Sequence, residues 1–464
     1  MSLKYRRILF GFFVLLFILM VPLVLLYATG HTINWKRLSL EKTGSILVES
    51  DPAGAAIFIN GEAIKQETFN GLTDKDTLTT PSRIKDLAPG EYSIRLESYG
   101  YWPWEERISL APGEALNLGT IHLYNQSKPY LITGFDNANF KISPNGLAIA
   151  IIENNKLSIF NTETNKKDNF TLPKIINNNA PIEWSGDSQR LVVDGLIVDR
   201  NKKTVETIKQ ADANNFRWNR DNSSLLYFLS NKKLFVKEIE NNQERQTDIQ
   251  LPKNIDLIID FNIYNNQIYL IAKDEEQNNY LILGTFGSEM KKISLDKGSY
   301  NFIEENFYRP TFISGKKLYI LDQPLPILDR QKIIQVSDRY ITGKSIDASI
   351  IYTTPLELRR WDNENQEYLI NRFGAPVNTF LPLTKTSAIV AALDNSLKLY
   401  IPGKNSITLN LISKISIQEI TVDSEEKNIY LIGKYQEESG LFKLPLNEKP
   451  DFSNPTLKDT STTK

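Results

Sequence analysis

The chain has 464 residues, enough for two or three domains, with 41% apolar and 23% charged residues and a net charge of -1. That balance offers no global basic excess for nucleic acid and no acidic solvating tail. There is no cysteine, and His31 and His122 are the two histidines. Disulfides, thiolate nucleophiles and Cys- or His-rich metal sites are therefore excluded, and neither histidine is placed to serve a Ser-His-Asp triad.

Residues 8–27, ILFGFFVLLFILMVPLVLLY, carry no charge. As a helix this run is long enough to span a hydrocarbon core, and Pro22 is tolerated there better than in a soluble helix. Lys4, Arg6 and Arg7 crowd its N-terminal flank, while Lys36, Arg37 and Lys42 lie further from it. The positive-inside rule then puts the N-terminus in the cytoplasm and the rest of the chain outside. A cleaved signal peptide is the competing reading. Against it, the run exceeds the usual apolar core, and a cut after Ala28 would put Leu26 where a small residue is preferred. The expectation is a single-pass signal anchor at the cell membrane over 1–28. A connector over 29–43 follows, with Trp35 marking the outer interface or the start of the tether.

From 44 to 124 short strands alternate with turns. Ser45–Ser50 and Ala56–Ile59 are apolar and alternating, with turn chemistry at Asp51-Pro52-Ala53-Gly54 between them. Asn60-Gly61 is a strong hairpin signal. Residues 62–80 read as a polar loop. Strands are then expected at Pro81–Ile84, Glu91–Glu97, Arg107–Leu110 and Leu116–Leu123, with a turn at Leu87-Ala88-Pro89-Gly90. Six or seven short strands in this span make a small β-sandwich. In order, GSILVESDP, FING, TPSRI and LAPGEYSIRLESYGYWPWE resemble the PEGA domain. The naming turn here reads Pro52-Ala53-Gly54-Ala55, without its acidic residue, and 62–80 is a longer link than the family implies. The resemblance implies a surface or envelope module and no chemistry. Tyr99, Tyr101, Trp102 and Trp104 are the candidate binding residues, as a stacking platform for a sugar or partner. The competing reading places two or three of them in the sandwich core.

Beyond residue 129 a new grammar recurs every 35–45 residues: a strand, a polar turn, an apolar strand, a tight turn and another strand. It is clear in 140–161, 182–199, 216–239 and 420–444, with weaker copies beginning near Ile259, Phe302, Ile341 and Val377. A single such unit cannot bury both faces of its sheet, so this period is the sign of a β-propeller. The SPNG and SGDS turns resemble those of TolB-like and WD40-like propellers, which implies a binding platform outside the cytoplasm.

The acidic turn residues Asp187, Asp221 and Asp423 invite a calcium reading, but they lie in separate repeats and read as turn formers. Adjacent Glu304-Glu305, Glu425-Glu426 and Glu437-Glu438 are poor acid/base couples, since neighbours on a strand point to opposite faces. Lys166-Lys167, Lys202-Lys203 and Lys232-Lys233 read as solubility and edge protection. No nucleophile elbow is present.

The expected fold is all-β with one N-terminal transmembrane helix: a small β-sandwich over 44–124, then a seven- or eight-bladed β-propeller over 129–446, then a disordered tail over 447–464. The expected function is an anchored, extracytoplasmic, non-enzymatic binding or scaffolding module. Its expected partner is an envelope protein or cell-surface polysaccharide, with no nucleic acid, catalytic residue, cofactor or metal. A carbohydrate-active enzyme working in the propeller funnel and a TolB-like transport or assembly partner stand as alternatives.

Overall fold

The computed structural model describes residues 3–28, 31–34, 39–67, 73–135, 138–264, 267–303, 310–321, 333–346, 349–362, 364–402 and 406–447. The apolar N-terminal run forms one helix, Leu3–Ala28, with Pro22 inside it. At 1.5 Å per residue its length is about 39 Å, against about 30 Å for a hydrocarbon core. Its apolar side chains are exposed, Phe10 at 72% and Phe17 at 68%. A soluble helix keeps a polar face, and this one has none along its central turns; it is long and apolar enough to cross a membrane. Where the sequence reads as a plain connector, His31–Asn34 pairs antiparallel with Ser39–Lys42 as a short hairpin. Trp35 and the tail from 448 lie outside the described residues.

The chain forms two compact units, one on Met1–Ser127 and one on Lys128–Pro402 with Ile407–Pro445. In the first, one sheet is ordered Trp104–Leu110, Gly90–Glu97, Ala56–Ile59, Glu62–Ala63. The other is ordered Ala115–His122, Gly44–Asp51, Ser82–Leu87, its first pair parallel. Alternation along Gly44–Asp51 sends Ile46 and Val48 inward, where Ile57, Ile84, Ile94, Leu96 and Ile121 are also buried. Asn60 and Gly61 take φ of 52° and 85°, the left-handed pair a two-residue hairpin needs. Thr80 pins the Pro52–Ala55 turn: Gly54 N donates to Thr80 O at 2.8 Å and Ala55 N to Thr80 Oγ1 at 3.0 Å.

The link over 62–80 is not the simple loop its polarity predicts. Lys65–Glu67 pairs with Thr73–Thr77 in a separate two-stranded sheet. The base of this insert is tied in through its backbone, with Leu78 N donating to Ile64 O at 2.6 Å and Ile57 N to Leu78 O at 3.0 Å. Those bonds are independent of side-chain polarity, which is why composition hid them.

The second unit holds eight four-stranded antiparallel sheets among the described residues. Seven are consecutive in sequence, spanning 139–170, 182–207, 214–246, 255–295, 300–337, 343–372 and 377–413. The eighth takes three strands from 415–445 and its outer strand, Tyr130–Gly134, from the start of the unit. The first strand of each repeat is innermost in the ring. Successive residues of the second strand face opposite neighbours. In the first sheet Ala148, Ala150 and Ile152 pack on the second sheet, while Ile149 and Ile151 pack on the eighth. In the third sheet Leu226 and Phe228 face the second, and Tyr227 and Leu229 face the fourth. These strands read as unbroken apolar runs because both faces are covered. Tyr430, Ile432 and Leu441 of the eighth sheet pack on Ile149, Ile151 and Phe160 of the first, so the ring closes. The result is a β-propeller.

Candidate functional site

The turns after the innermost strands build one face of the ring. In the first, Ser143 Oγ accepts from Ala148 N at 2.9 Å, and Gly146 N donates to Ser143 O at 2.8 Å. The second repeats this with Ser185, Arg190 and Ser188. The eighth puts Asp423 in the serine position, and Glu426 N donates to Asp423 O at 3.0 Å. The residue three places on is left-handed in each: Gly146 at φ 73°, Ser188 at 61° and Glu426 at 55°. Neighbouring turns are linked. Asn145 N donates to Ser188 Oγ at 3.2 Å, and Asp187 N to Ser223 Oγ at 3.1 Å.

Inner strands are stitched by tryptophan. Trp184 Nε1 donates to Lys141 O at 3.0 Å, and Trp218 Nε1 to Glu183 O at 3.1 Å, each reaching back one sheet. Further along the ring lies a knot at Asp260, which is 3% exposed on the fourth sheet's inner strand. Its Oδ1 accepts from Asn215 Nδ2 at 2.9 Å and Arg217 at 3.3 Å, and its Oδ2 accepts from Phe302 N at 2.7 Å. One carboxylate thereby joins three successive sheets.

Glu426 performs a similar task on the turn face. Its residue is 6% exposed, and Oε1 accepts from Thr384 N at 2.6 Å and Thr384 Oγ1 at 2.7 Å. Lys385 N donates to Oε2 at 3.1 Å. Glu426→Ala leaves two backbone donors of the seventh sheet without an acceptor, and is expected to cost about 2 kcal/mol of stability, with Glu426→Gln costing less. Urea unfolding checks this; an unchanged midpoint in Glu426→Ala contradicts the clamp.

Within these turns lies a cavity of about 530 Å³. It is lined from the first, second, third, sixth, seventh and eighth sheets, and its charged walls are Lys141, Glu183, Arg220, Lys344, Glu419, Asp423 and Glu426. Asp423 is occupied in its own turn, accepting from Lys427 N at 2.8 Å and from Asn428 Nδ2 at 2.7 Å. Trp184 and Trp218 also line it but are largely buried, 6% and 8% exposed.

A second cavity of about 600 Å³ flanks the sixth sheet. Four of its charges are matched to one another. Arg359 meets Glu357 at 2.8 Å and Glu367 at 2.6 Å, Arg372 meets Glu357, and Tyr352 donates to Glu367. Burial, then the Glu367 carboxylate, pushes the Tyr352 phenol well above its ordinary range, so it remains a donor.

The aromatic candidates are divided by the sandwich. Tyr101 and Trp104 are 7% and 9% exposed, Trp102 is half-buried, and Tyr99 is 82% exposed. Asp187 accepts from Gln189 N at 3.0 Å, and in the third turn the equivalent role falls to Asn219, which accepts from Asp221 N at 2.9 Å. Glu425 pairs with Lys385 at 3.2 Å while Glu426 is buried and turns inward, so the pair is split, by a turn rather than by strand alternation. Glu304-Glu305 lies outside the described residues. Two of the lysine pairs do more than protect edges: Lys203 meets Asp168 at 2.9 Å and Lys232 meets Asp256 at 3.2 Å, each bridging adjacent sheets.

Residues 43–125 match the PEGA domain family, in agreement with the sandwich geometry. The chain thus carries a PEGA domain followed in sequence by a β-propeller. Similar solved structures include dipeptidyl peptidase 4 of Porphyromonas gingivalis, at 11% identity and a TM-score of 0.48 over 65% of this chain and 56% of that one. Another is the β-propeller domain of the Trilobed protease from Pyrococcus furiosus, at 14% and 0.37 over 60% and 98%. A third is a eukaryotic initiation factor, at 13% and 0.44 over 70% and 93%. No curated protein sequence matches the chain.

Proposed function

We propose that this chain is a membrane-anchored, extracytoplasmic binding or scaffolding module of the cell envelope, non-enzymatic, with the turn face of the propeller as its recognition surface and an envelope component as its partner. The observation that carries the reading is the occupation of the carboxylates Asp423 and Glu426 in holding turns together, inside a cavity of the size that small-molecule sites have. A hydrolytic pair would need carboxylates available to substrate. The PEGA sandwich, next in sequence after the helix, is then a spacer and adaptor.

The full chain is expected to remain in the membrane pellet after alkaline carbonate extraction, and the chain lacking residues 1–28 to move to the supernatant. Recovery of the full chain in the supernatant contradicts the anchor. Affinity capture from detergent-solubilised envelope, with the helix intact, is expected to bring down a stoichiometric envelope component. Turnover of an envelope glycan by the pure protein contradicts the non-enzymatic reading.

A further inference from the structure

We propose that the propeller cavity binds a short peptide with free termini, its carboxylate against Lys344 and its ammonium against Glu419. This inference rests on the binding role argued above and names its ligand class.

The cavity wall has charges of both signs that differ in what they already do. Asp423 and Glu426 are engaged by backbone and side-chain donors. Lys141, Glu183 and Arg220 each make further interactions within the protein. Lys344 and Glu419 are different. Both are half-buried and line the cavity, and among the described residues neither side chain has a hydrogen bond or ion pair, including with the other. A charge withdrawn from water without a partner is unfavourable, and a ligand group of opposite charge relieves that cost with a charge-assisted bond.

Their placement sets the ligand's shape. Lys344 lies on Gly343–Ile346, the sixth sheet's inner strand, and Glu419 on Ile415–Val422, the eighth sheet's. Between them in ring order comes the seventh sheet, whose inner strand Val377–Pro382 supplies Leu381 and Pro382 to the wall. A cation and an anion are thus separated by an apolar strip one sheet wide. A free amino acid holds its two charged groups on a single carbon, with no backbone between them to lie along that strip. A di- or tripeptide separates them and offers an apolar middle. A neutral sugar is the poorer fit. Trp184 and Trp218 are buried, and their Nε1 donors are already bonded to Lys141 O and Glu183 O. Among the described residues no well-exposed aromatic ring lines this cavity for stacking.

Calorimetry on the full chain in detergent tests this with four probes: trialanine, N-acetyl-trialanine, trialanine amide and a neutral trisaccharide. Saturable binding of trialanine is expected, weakened about tenfold by blocking either terminus, a loss of about 1.4 kcal/mol. Lys344→Ala is expected to remove discrimination against the amide, and Glu419→Gln discrimination against the N-acetyl peptide, with thermal unfolding unchanged in both. Trialanine binding indifferent to blocked termini, tighter binding of the trisaccharide, or no trialanine binding overturns the proposal. If affinity capture still recovers an envelope component while trialanine does not bind, the ligand class falls and the binding role stands. If trialanine binds as expected but capture recovers nothing, the scaffold reading fails and this one survives.

Discussion

Asp260→Ala is expected to lower the stability of the propeller by about 3–5 kcal/mol, the penalty typical of breaking a buried ion pair from one side. The substitution leaves the Arg217 guanidinium, 13% exposed, without the carboxylate it meets at 3.3 Å. It also strips the acceptor from Phe302 N and from Phe261 N, which bond Asp260 at 2.7 and 2.8 Å. Three sheets lose a common tie at once. Asp260→Asn keeps one acceptor oxygen but turns an amide N–H₂ toward another donor, so an intermediate loss is expected. The urea midpoint of the full chain measures both. A midpoint within experimental error of the parent in Asp260→Ala shows that the knot contributes nothing.

A comparable loss is expected for Lys237→Met, for a related reason. Lys237 and Glu244 form an ion pair at 3.1 Å, with side chains 1% and 3% exposed. Removing the cation leaves a buried carboxylate without its counter-charge, a change that costs about 3–5 kcal/mol. Glu244 also accepts from Lys209 N at 3.1 Å, so the pair is tied to the chain entering the third sheet. Replacing both residues, Lys237→Met with Glu244→Met, removes the stranded charge and is expected to recover much of the loss. A double-mutant cycle by urea unfolding reads this directly. If the two single losses simply add in the double variant, the residues do not act as a pair.

These two groups mark what sequence reasoning passed over. Asp260 sits inside IDLIIDFNIY, an apolar strand in which a lone carboxylate is itself a signal of a buried partner. The partner is not visible, because Arg217 and Phe302 lie 43 and 42 residues away and meet Asp260 only through the ring. Lys237 in KLFVKE carries the same signal. The repeats themselves were legible where the turn chemistry was strong, as in SPNG and SGDS, whose serines bond back to their own strands. They faded near Ile259, where bulges interrupt the register of Ile255–Tyr264. Of the seven or eight repeats left open by that fading, the described chain holds eight sheets.

The cavity was the least legible feature. Lys344 and Glu419 stand 75 positions apart in sequence, within an inner strand each, and neither belongs to a recognisable motif. The aromatic run around Tyr101 drew notice because its residues are adjacent in sequence, yet the sandwich buries Tyr101 and Trp104 and exposes Tyr99. Tyr99 lies in the turn before Trp104–Leu110, so no strand alternation aligns these rings, and burial separates them.

The central claim, that recognition takes place on the turn face of the propeller, is tested most directly by site-specific photocrosslinking in intact cells. A photoreactive residue is placed at Pro144 or Ser424 on the cavity rim, and at Lys167 or Gln243 on outer strands. The account predicts a discrete crosslinked species from the rim positions and none from the outer strands. Crosslinks arising from the outer strands alone would contradict it.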